Sequence, residues 1–234
     1  MTADTTMSFV PKLEQRNLSD QCADHIVLMI ANGELKAGQR LLEKEICRHL
    51  GVSRVPVREA LRLLQAQGVV RTEPNRGSFI AEFGSIETAE LLEVRLCVER
   101  LALKRLLDRL ALDAEAADPL EEQITAMRRA AELNAQLAYC QADLAFHQKL
   151  IELSQSPLLG PIWTSLSRGV LVFLMQERDI AFDYGQSIDE HVFLLDVIRA
   201  GKPVAVDREI ERHIMGYVHR HRQAVDTSAK VATK

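Results

Sequence analysis

The stretch that decides the fold is residues 51–61, Gly51-Val-Ser-Arg-Val-Pro-Val-Arg-Glu-Ala-Leu61. Gly51 suits a tight turn after a short helix, and Ser53 suits the N-cap of a following helix. Val57 and Leu61 are spaced by one helical turn, so both point towards a common core. The stretch therefore predicts a helix-turn-helix in which the segment after Ser53 is the second helix.

The flanking sequence completes a small domain around this motif. Two further helices are predicted at Leu18–Asn32 and Leu42–Leu50, and the third runs to about Gln67. After Gly68 the pattern changes to two short strands, 69–72 and 78–81, joined by turn-forming residues. Three helices plus a β-hairpin predict a winged helix-turn-helix.

The rest of the chain is predicted to be helical, so the fold class is mainly α. The breakers Asp118-Pro119, Ser156-Pro157, Tyr184-Gly185 and Gly201-Lys202-Pro203 divide it into an all-α bundle of about six helices. These helices are expected near 86–111, 115–135, 137–154, 157–178, 186–200 and 203–224. The predicted domains are a flexible N-terminus (1–14), the winged helix-turn-helix (15–82), a linker (83–85), the bundle (86–225) and a flexible tail (226–234).

The charge is unevenly distributed between these two domains. The chain of 234 residues has a formal net charge of −4, yet residues 1–80 carry eleven basic and nine acidic side chains. A basic module on an acidic body favours DNA binding over an enzyme with one even surface. The sequence shows neither a signal peptide nor a membrane span, and its four scattered cysteines suit reduced thiols in the cytoplasm.

Two arginines on the predicted second helix of the motif are candidate DNA contacts. Arg54 and Arg58 are four residues apart and share a helix face. Arginines near the start of a helix in the major groove can pair with guanine or grip phosphate. Arg76-Gly77 at the hairpin tip would enter the minor groove alongside. An arbitrary arginine pair is more often a solvated helix face, but here the turn, the cap, the hairpin and the charge excess agree.

Residues 15–82 resemble the DNA-binding domain of GntR-family bacterial regulators, on the segments Gly38–Ile46, Gly51–Leu64, Gly68–Val70 and Asn75–Phe79. The resemblance implies operator contacts by Lys44, Arg54 and Arg58. It also implies supporting contacts by Arg40 and by Asn75, Arg76 and Gly77 at the wing. Val55 stands where threonine is common in that family, so one hydroxyl contact is lost.

The bundle contains a candidate metal site. Asp143 and His147 share one helix face, while His191 and His213 lie on two other predicted helices. One carboxylate and three imidazoles suit a divalent metal ion such as Zn²⁺, Ni²⁺ or Mn²⁺, with an open position for a small organic acid. Each histidine taken singly is more often a hydrogen-bonded core or surface residue than a ligand.

Residues 86–222 resemble the all-helical effector domain of the FadR subfamily, the FCD domain, through the pattern Asp-x-x-x-His, Glu-His and His. The resemblance implies that Asp143, His147, His191 and His213 bind the metal. It also implies that Arg95, in an Arg-x-x-x-Glu stretch, anchors the carboxylate of the effector. A surface ion pair between Arg95 and Glu99 is the alternative for that stretch.

Together these features predict a ligand-responsive transcription regulator, with repression relieved by ligand as the expected direction. A homodimer would bind a near-palindromic double-stranded operator, and a small organic acid would be sensed at the metal. Two alternatives remain open at this point. One is a metal-dependent hydrolase with an appended DNA-binding domain, and the other is a DNA-binding protein whose metal is purely structural. Glu190 and Glu211 adjoin ligands in sequence and are expected to point away from them.

Overall fold

The N-terminal half of the fold is a winged helix-turn-helix. The computed structural model describes residues 18–82, 85–176 and 183–216. The predicted flexible N-terminus, most of the predicted linker and the predicted tail lie outside these ranges. The first elements are α1 (Leu18–Ala31), β1 (Arg40–Leu41), α2 (Glu43–Leu50), α3 (Arg54–Ala66), β2 (Val70–Glu73) and β3 (Gly77–Ile80).

The wing is a three-stranded antiparallel sheet in the order β1-β3-β2. The hairpin was predicted, but its strands begin one residue away from the expected positions, and the two-residue strand β1 was missed. In this sheet Arg40 pairs with Phe79, and Arg71 pairs with Phe79 from the other side. The sheet therefore places Arg40 beside the wing.

The turn between α2 and α3 has the predicted backbone. Gly51 ends α2 in the left-handed region (φ 66°), and Ser53 occupies the N-cap position of α3. Among the described residues the Ser53 side chain makes no capping hydrogen bond, so the expected side-chain cap is wrong even though the helix starts where predicted. Val57 and Leu61 are buried in the core of the domain, as predicted.

The bundle follows from Ser85. Its helices are α4 (Ser85–Leu110), α5 (Pro119–Glu132), α6 (Gln136–Leu153), α7 (Leu159–Gln176), α8 (Tyr184–Arg199) and α9 (203–216). Six helices were predicted, and the bounds of α4, α6 and α8 differ from the expected ones by one or two residues. Helix α5 begins at Pro119 rather than 115, because proline fits the first turn of a helix. The predicted ends of α7 and α9 lie beyond the described residues. No described helix has the length and apolarity to cross a membrane.

The two domains share part of a hydrophobic core. Leu171, Val172 and Met175 of α7 and Cys140 of α6 pack with the buried residues of the winged helix-turn-helix. Most of the other buried apolar residues of the bundle form a separate core that includes Trp163 and Phe173 of α7, and Met127 and Tyr139 belong to a smaller third cluster. Helix α7 therefore packs against both domains.

Candidate operator interface and candidate metal centre

The recognition helix α3 presents a charged outer face. Arg54 is exposed, and the side chain of Arg58 keeps 56% of its accessible surface while its Nε lies 2.9 Å from Glu43 Oε2. Glu43 precedes Lys44 at the start of α2, so this ion pair places Arg58 beside the first turn of α2. Val55 is 70% exposed on the same helix, which leaves an apolar side chain at the predicted contact face.

The wing tip and Arg40 form a second basic surface. Asn75 and Gly77 both have positive φ, 62° and 100°. A Cβ on Gly77 would lie 3.3 Å from Arg40 Nε, so the absence of a side chain lets the Arg40 guanidinium pack over the strand. Arg76 is exposed and forms an ion pair with Glu73. The predicted wing contacts are therefore side by side on one surface.

Three buried histidines converge inside the bundle. His147 of α6, His191 of α8 and His213 of α9 each offer a ligand atom, and these atoms lie within 4.8 Å of one another. The Nε2 atoms of His147 and His213 are 3.4 Å apart. Zn–N bonds of about 2.0–2.1 Å in a tetrahedral shell place two ligand nitrogens about 3.3–3.4 Å apart. The spacing of this pair therefore matches two ligands of one metal ion.

Asp143 of α6 faces the same group. Its Oδ1 lies 3.2 Å from His191 Nε2, a separation that two neighbouring ligands of one ion also have. The pair lacks hydrogen-bond geometry, so within the described structure His191 Nε2 is buried without a hydrogen-bond partner. Buried polar atoms are seldom left in that state. A metal ion bound by this nitrogen would satisfy it, so the residues present fit the ion.

Hydrogen bonds on the opposite ring nitrogens prepare two of the histidines for binding. His191 Nδ1 donates to the carbonyl oxygen of Ser187 (2.8 Å), and His147 Nδ1 donates to Glu99 Oε2 (2.6 Å). A proton on Nδ1 leaves the Nε2 lone pair for a metal. The bond from a second residue to the outer nitrogen is typical of metal-binding histidines.

The charge states also suit a cation. Burial and the positive charge of Arg95 lower the pKa of His147, and burial with neighbouring positive groups lowers that of His213 further. Burial opposes ionisation of Asp143, but the adjoining His191, His147 and Arg95 outweigh it and lower its pKa. These directions favour a neutral His147, a neutral His213 and an ionised Asp143, the forms that bind metals.

Arg95 is buried, and it is paired. Its Nε donates to Glu99 Oε1 (2.7 Å), and the guanidinium lies 5.7 Å from the ring centre of Trp163. The alternative prediction placed the Arg95–Glu99 ion pair on the surface, and that placement is wrong because Glu99 is wholly buried. Arg95 also lines the cavity bordered by His191 and His213, which keeps it available as an anion anchor.

The cavity at the histidines is small, about 50 Å³. That volume accommodates an ion and little more than a water molecule. Glu190 lines it, contrary to the expectation that it points away, whereas Glu211 is exposed and pairs with Arg100. The lining residues are Leu92, Arg95, Asp143, Phe173, Leu174, Ser187, Glu190, His191, His213 and Ile214.

Two contacts were not predicted from the sequence, one of Glu99 with His147 at this site and one of Arg168 between the two domains, although each residue has an unusual sequence setting. Glu99 falls within the buried stripe of α4, between Leu96 and Leu103, where an apolar residue is expected. Arg168 is the one charged residue of α7, and its Nε donates to Asp24 Oδ1 of α1 (2.9 Å). A lone charge in an apolar helix is a usable signal of a specific partner.

Two protein families match successive stretches of the chain. Residues 18–80 match the family described as bacterial regulatory proteins, gntR family, and residues 90–216 match the FCD domain. The chain belongs to the GntR family of bacterial regulators. Its FCD domain places it in the FadR subfamily, whose members are transcription regulators and not enzymes.

Similar proteins agree with this membership of the GntR family. A probable D-xylose utilization operon transcriptional repressor of Paenarthrobacter nicotinovorans is 27% identical over 210 residues, covering 88% of this chain and 90% of its own length. The transcriptional repressor NanR of Salmonella newport is 23% identical over 219 residues, covering 86% and 84%. The structure of E. coli McbR/YncC matches with a TM-score of 0.75 at 20% identity, covering 90% of this chain and all of that one, which shows a common fold.

Proposed function

We propose that this GntR-family regulator is a repressor that binds a near-palindromic operator as a homodimer and releases it when a small carboxylic acid binds at a divalent metal. The observation that carries the proposal is the cluster of three buried histidines, two of which, His191 and His213, line one cavity together with Asp143 and Arg95. A bound ion would supply an open coordination position for the carboxylate of the effector. Arg95 would hold the same carboxylate by charge-assisted hydrogen bonds.

The structure offers a physical route from this cavity to the DNA-binding domain. Phe173 and Leu174 of α7 line the cavity, while Leu171, Val172 and Met175 of the same helix pack into the core of the winged helix-turn-helix. A cavity of about 50 Å³ is smaller than an organic acid of several carbons. Effector binding would therefore displace lining residues, and α7 would transmit the movement.

The direction of regulation is inferred from relatives. The Paenarthrobacter protein and NanR are both described as repressors. Arg54 and Arg58 on α3, with Lys44 and the wing residues Arg40, Asn75, Arg76 and Gly77, are the proposed operator contacts. Each of these residues is at least partly exposed, and all lie on α2, α3 or the wing.

A purely structural metal is the second candidate function, and the small volume of the cavity favours it. The two candidates differ in their response to ligand. We expect a carboxylic acid found in a thermal-shift screen of the Zn²⁺-loaded protein to weaken operator binding measured by fluorescence anisotropy. Stabilisation by acids with no change in operator affinity would contradict sensing and support the structural metal.

The metal site has its own test. Replacing His191 and His213 together by alanine removes two of three imidazoles, so we expect the metal content measured by elemental analysis to fall to background. The matched control is His25→Ala and His49→Ala, two exposed histidines of the winged helix-turn-helix. Equal metal content in both double variants would rule out the site.

A further inference from the structure

One buried carboxylate joins the two halves of the proposed site. Glu99 of α4 has no accessible surface. Its Oε1 accepts a hydrogen bond from Arg95 Nε at 2.7 Å, and its Oε2 accepts one from His147 Nδ1 at 2.6 Å. The first partner is one helical turn away and the second lies 48 residues away on α6. Glu99 therefore contacts both the proposed anion anchor and a proposed metal ligand.

The bond to His147 determines which nitrogen can bind a metal. Both oxygens of Glu99 accept hydrogen bonds from ring or guanidinium nitrogens, which is the contact pattern of a carboxylate. A carboxylate only accepts hydrogen bonds, and His147 Nδ1 must then carry the proton. The Nε2 atom is left with its lone pair, 3.4 Å from His213 Nε2.

The hydrogen bond between Glu99 and Arg95 determines which way the Arg95 guanidinium faces. The hydrogen bond to Glu99 is made by Arg95 Nε, so it does not occupy the two terminal nitrogens of the guanidinium. Trp163 lies 5.7 Å from the guanidinium carbon and limits its movement on another side. Arg95 thus faces the cavity as a fixed cation without an unpaired buried charge.

From these contacts we infer that Glu99 is a positioning residue with two effects. It sets the metal affinity of the site by fixing the tautomer of His147, and it orients Arg95 towards an anionic ligand. The inference rests on the proposed metal site. Loss of a residue that orients a metal-binding histidine typically weakens metal binding about 10- to 100-fold.

The first test uses the unaltered protein. Long-range ¹H–¹⁵N NMR spectra of chelator-treated, ¹⁵N-histidine-labelled protein report which ring nitrogen carries the proton, and His147→Gln assigns the signal. We expect His147 to be the Nδ1–H tautomer. The Nε2–H tautomer would overturn the inference, whatever the behaviour of substituted proteins.

The second test is Glu99→Gln. The amide has one acceptor oxygen and one NH₂ group, so it cannot accept from both Arg95 and His147. We expect Zn²⁺ affinity, measured by competition with a chromophoric chelator, to fall about 10- to 100-fold. The matched control is Glu209→Gln on α9, another buried carboxylate paired with one arginine, Arg212; its Zn²⁺ affinity should equal that of the unaltered protein.

The outcomes separate the inference from the proposed function. Equal Zn²⁺ affinity in Glu99→Gln and Glu209→Gln, with tight binding by the unaltered protein, would overturn the inference and leave the metal site standing. Absence of Zn²⁺ binding by the unaltered protein would overturn both. If Glu99→Gln fails to fold, the tautomer of His147 in the unaltered protein decides.

Discussion

Arg58 connects the chemistry of a single side chain to operator recognition. It lies on the recognition helix with more than half of its side chain exposed, and its Nε pairs with Glu43. That pair uses one edge of the guanidinium, so the other nitrogens can reach DNA. Exposed ion pairs contribute little to folding stability. We therefore expect Arg58 to contribute mainly to DNA binding.

Substitution of Arg58 tests this role. We expect Arg58→Ala to lose about 1–3 kcal/mol of operator discrimination, the value of a bidentate arginine–guanine contact, with an unchanged melting temperature. Fluorescence anisotropy on operator and on unrelated duplex DNA measures the loss. Arg128→Ala, which removes an exposed arginine from α5 in the bundle, should bind as the unaltered protein does. A normal affinity ratio in Arg58→Ala would show that another residue reads the operator.

The sequence predicted the individual site residues better than their partners. Helical spacing placed Asp143 and His147 on one face, and the structure gathers them with His191 and His213. The role of Glu99 could not be derived, because a residue four positions from Arg95 reads equally well as a surface partner. Its contact with His147 depends on the packing of α4 against α6, which no local pattern specifies.

At the scale of elements, α7 is the feature that joins the domains. Besides its apolar contacts, it carries Arg168, whose guanidinium is bound to Asp24 of α1 and donates to Gln67 Oε1 at 3.2 Å. The arginine is 9% exposed, so these bonds are shielded from water. Any movement of α7 must carry α1 and the end of α3 with it or break these bonds.

Removal of Arg168 should therefore weaken the communication between the domains. Hydrogen bonds to charged groups contribute about 1.5–3 kcal/mol, so we expect Arg168→Ala to lower the free energy of unfolding by an amount in that range. Zn²⁺ binding should be retained. An effector that changes operator affinity in the unaltered protein should change it less in the variant, as measured by anisotropy with and without ligand.

Arg199 offers the matched control for this prediction. It also forms ion pairs between two helices, to Asp118 and Glu121, but both helices belong to the bundle. Arg199→Ala should lose at most about 1 kcal/mol of stability, because these ion pairs are exposed, and it should keep the full effect of the ligand. Equal ligand effects in Arg168→Ala and the unaltered protein would exclude this contact as the route of communication.

The elements themselves were largely predictable because each has a local signal. Gly51, Gly68 and Gly201 end helices in the left-handed conformation, and Pro119 starts one. Strand β1 was missed because a strand of two residues is too short to show the alternation of buried and exposed side chains. Its pairing with β3 also depends on a partner about forty residues away in the sequence. The bundle's helices were placed by breakers, whereas their packing order required the structure.

At the scale of the whole molecule, an exposed and partly apolar surface is where we expect the two chains of the proposed homodimer to meet. On α4, Val94 and Leu101 are 48% and 50% exposed and lie two helical turns apart. Leu101 also borders a groove of about 540 Å³ between α4 and α9, lined by six apolar side chains and by the charged residues Arg100, Lys104, Asp108 and Asp207. A monomer rarely leaves such a groove open without a partner. A second copy of the chain is the partner that the proposed near-palindromic operator would require.

Leu101→Asp tests this surface and the bivalent binding mode together. A charge in an apolar interface is left unpaired when the interface forms, so we expect the variant to be a monomer by light scattering with its helical content intact. A monomer holds one half-site at a time, and the loss of bivalent attachment should weaken operator binding by about 100-fold or more. Leu133→Asp, at a 79% exposed leucine after α5, should remain a dimer with normal binding. If Leu101→Asp is still a dimer, the two-fold contact lies elsewhere. If it is a monomer with full operator affinity, each winged helix-turn-helix binds independently, and the ligand must then act within one chain.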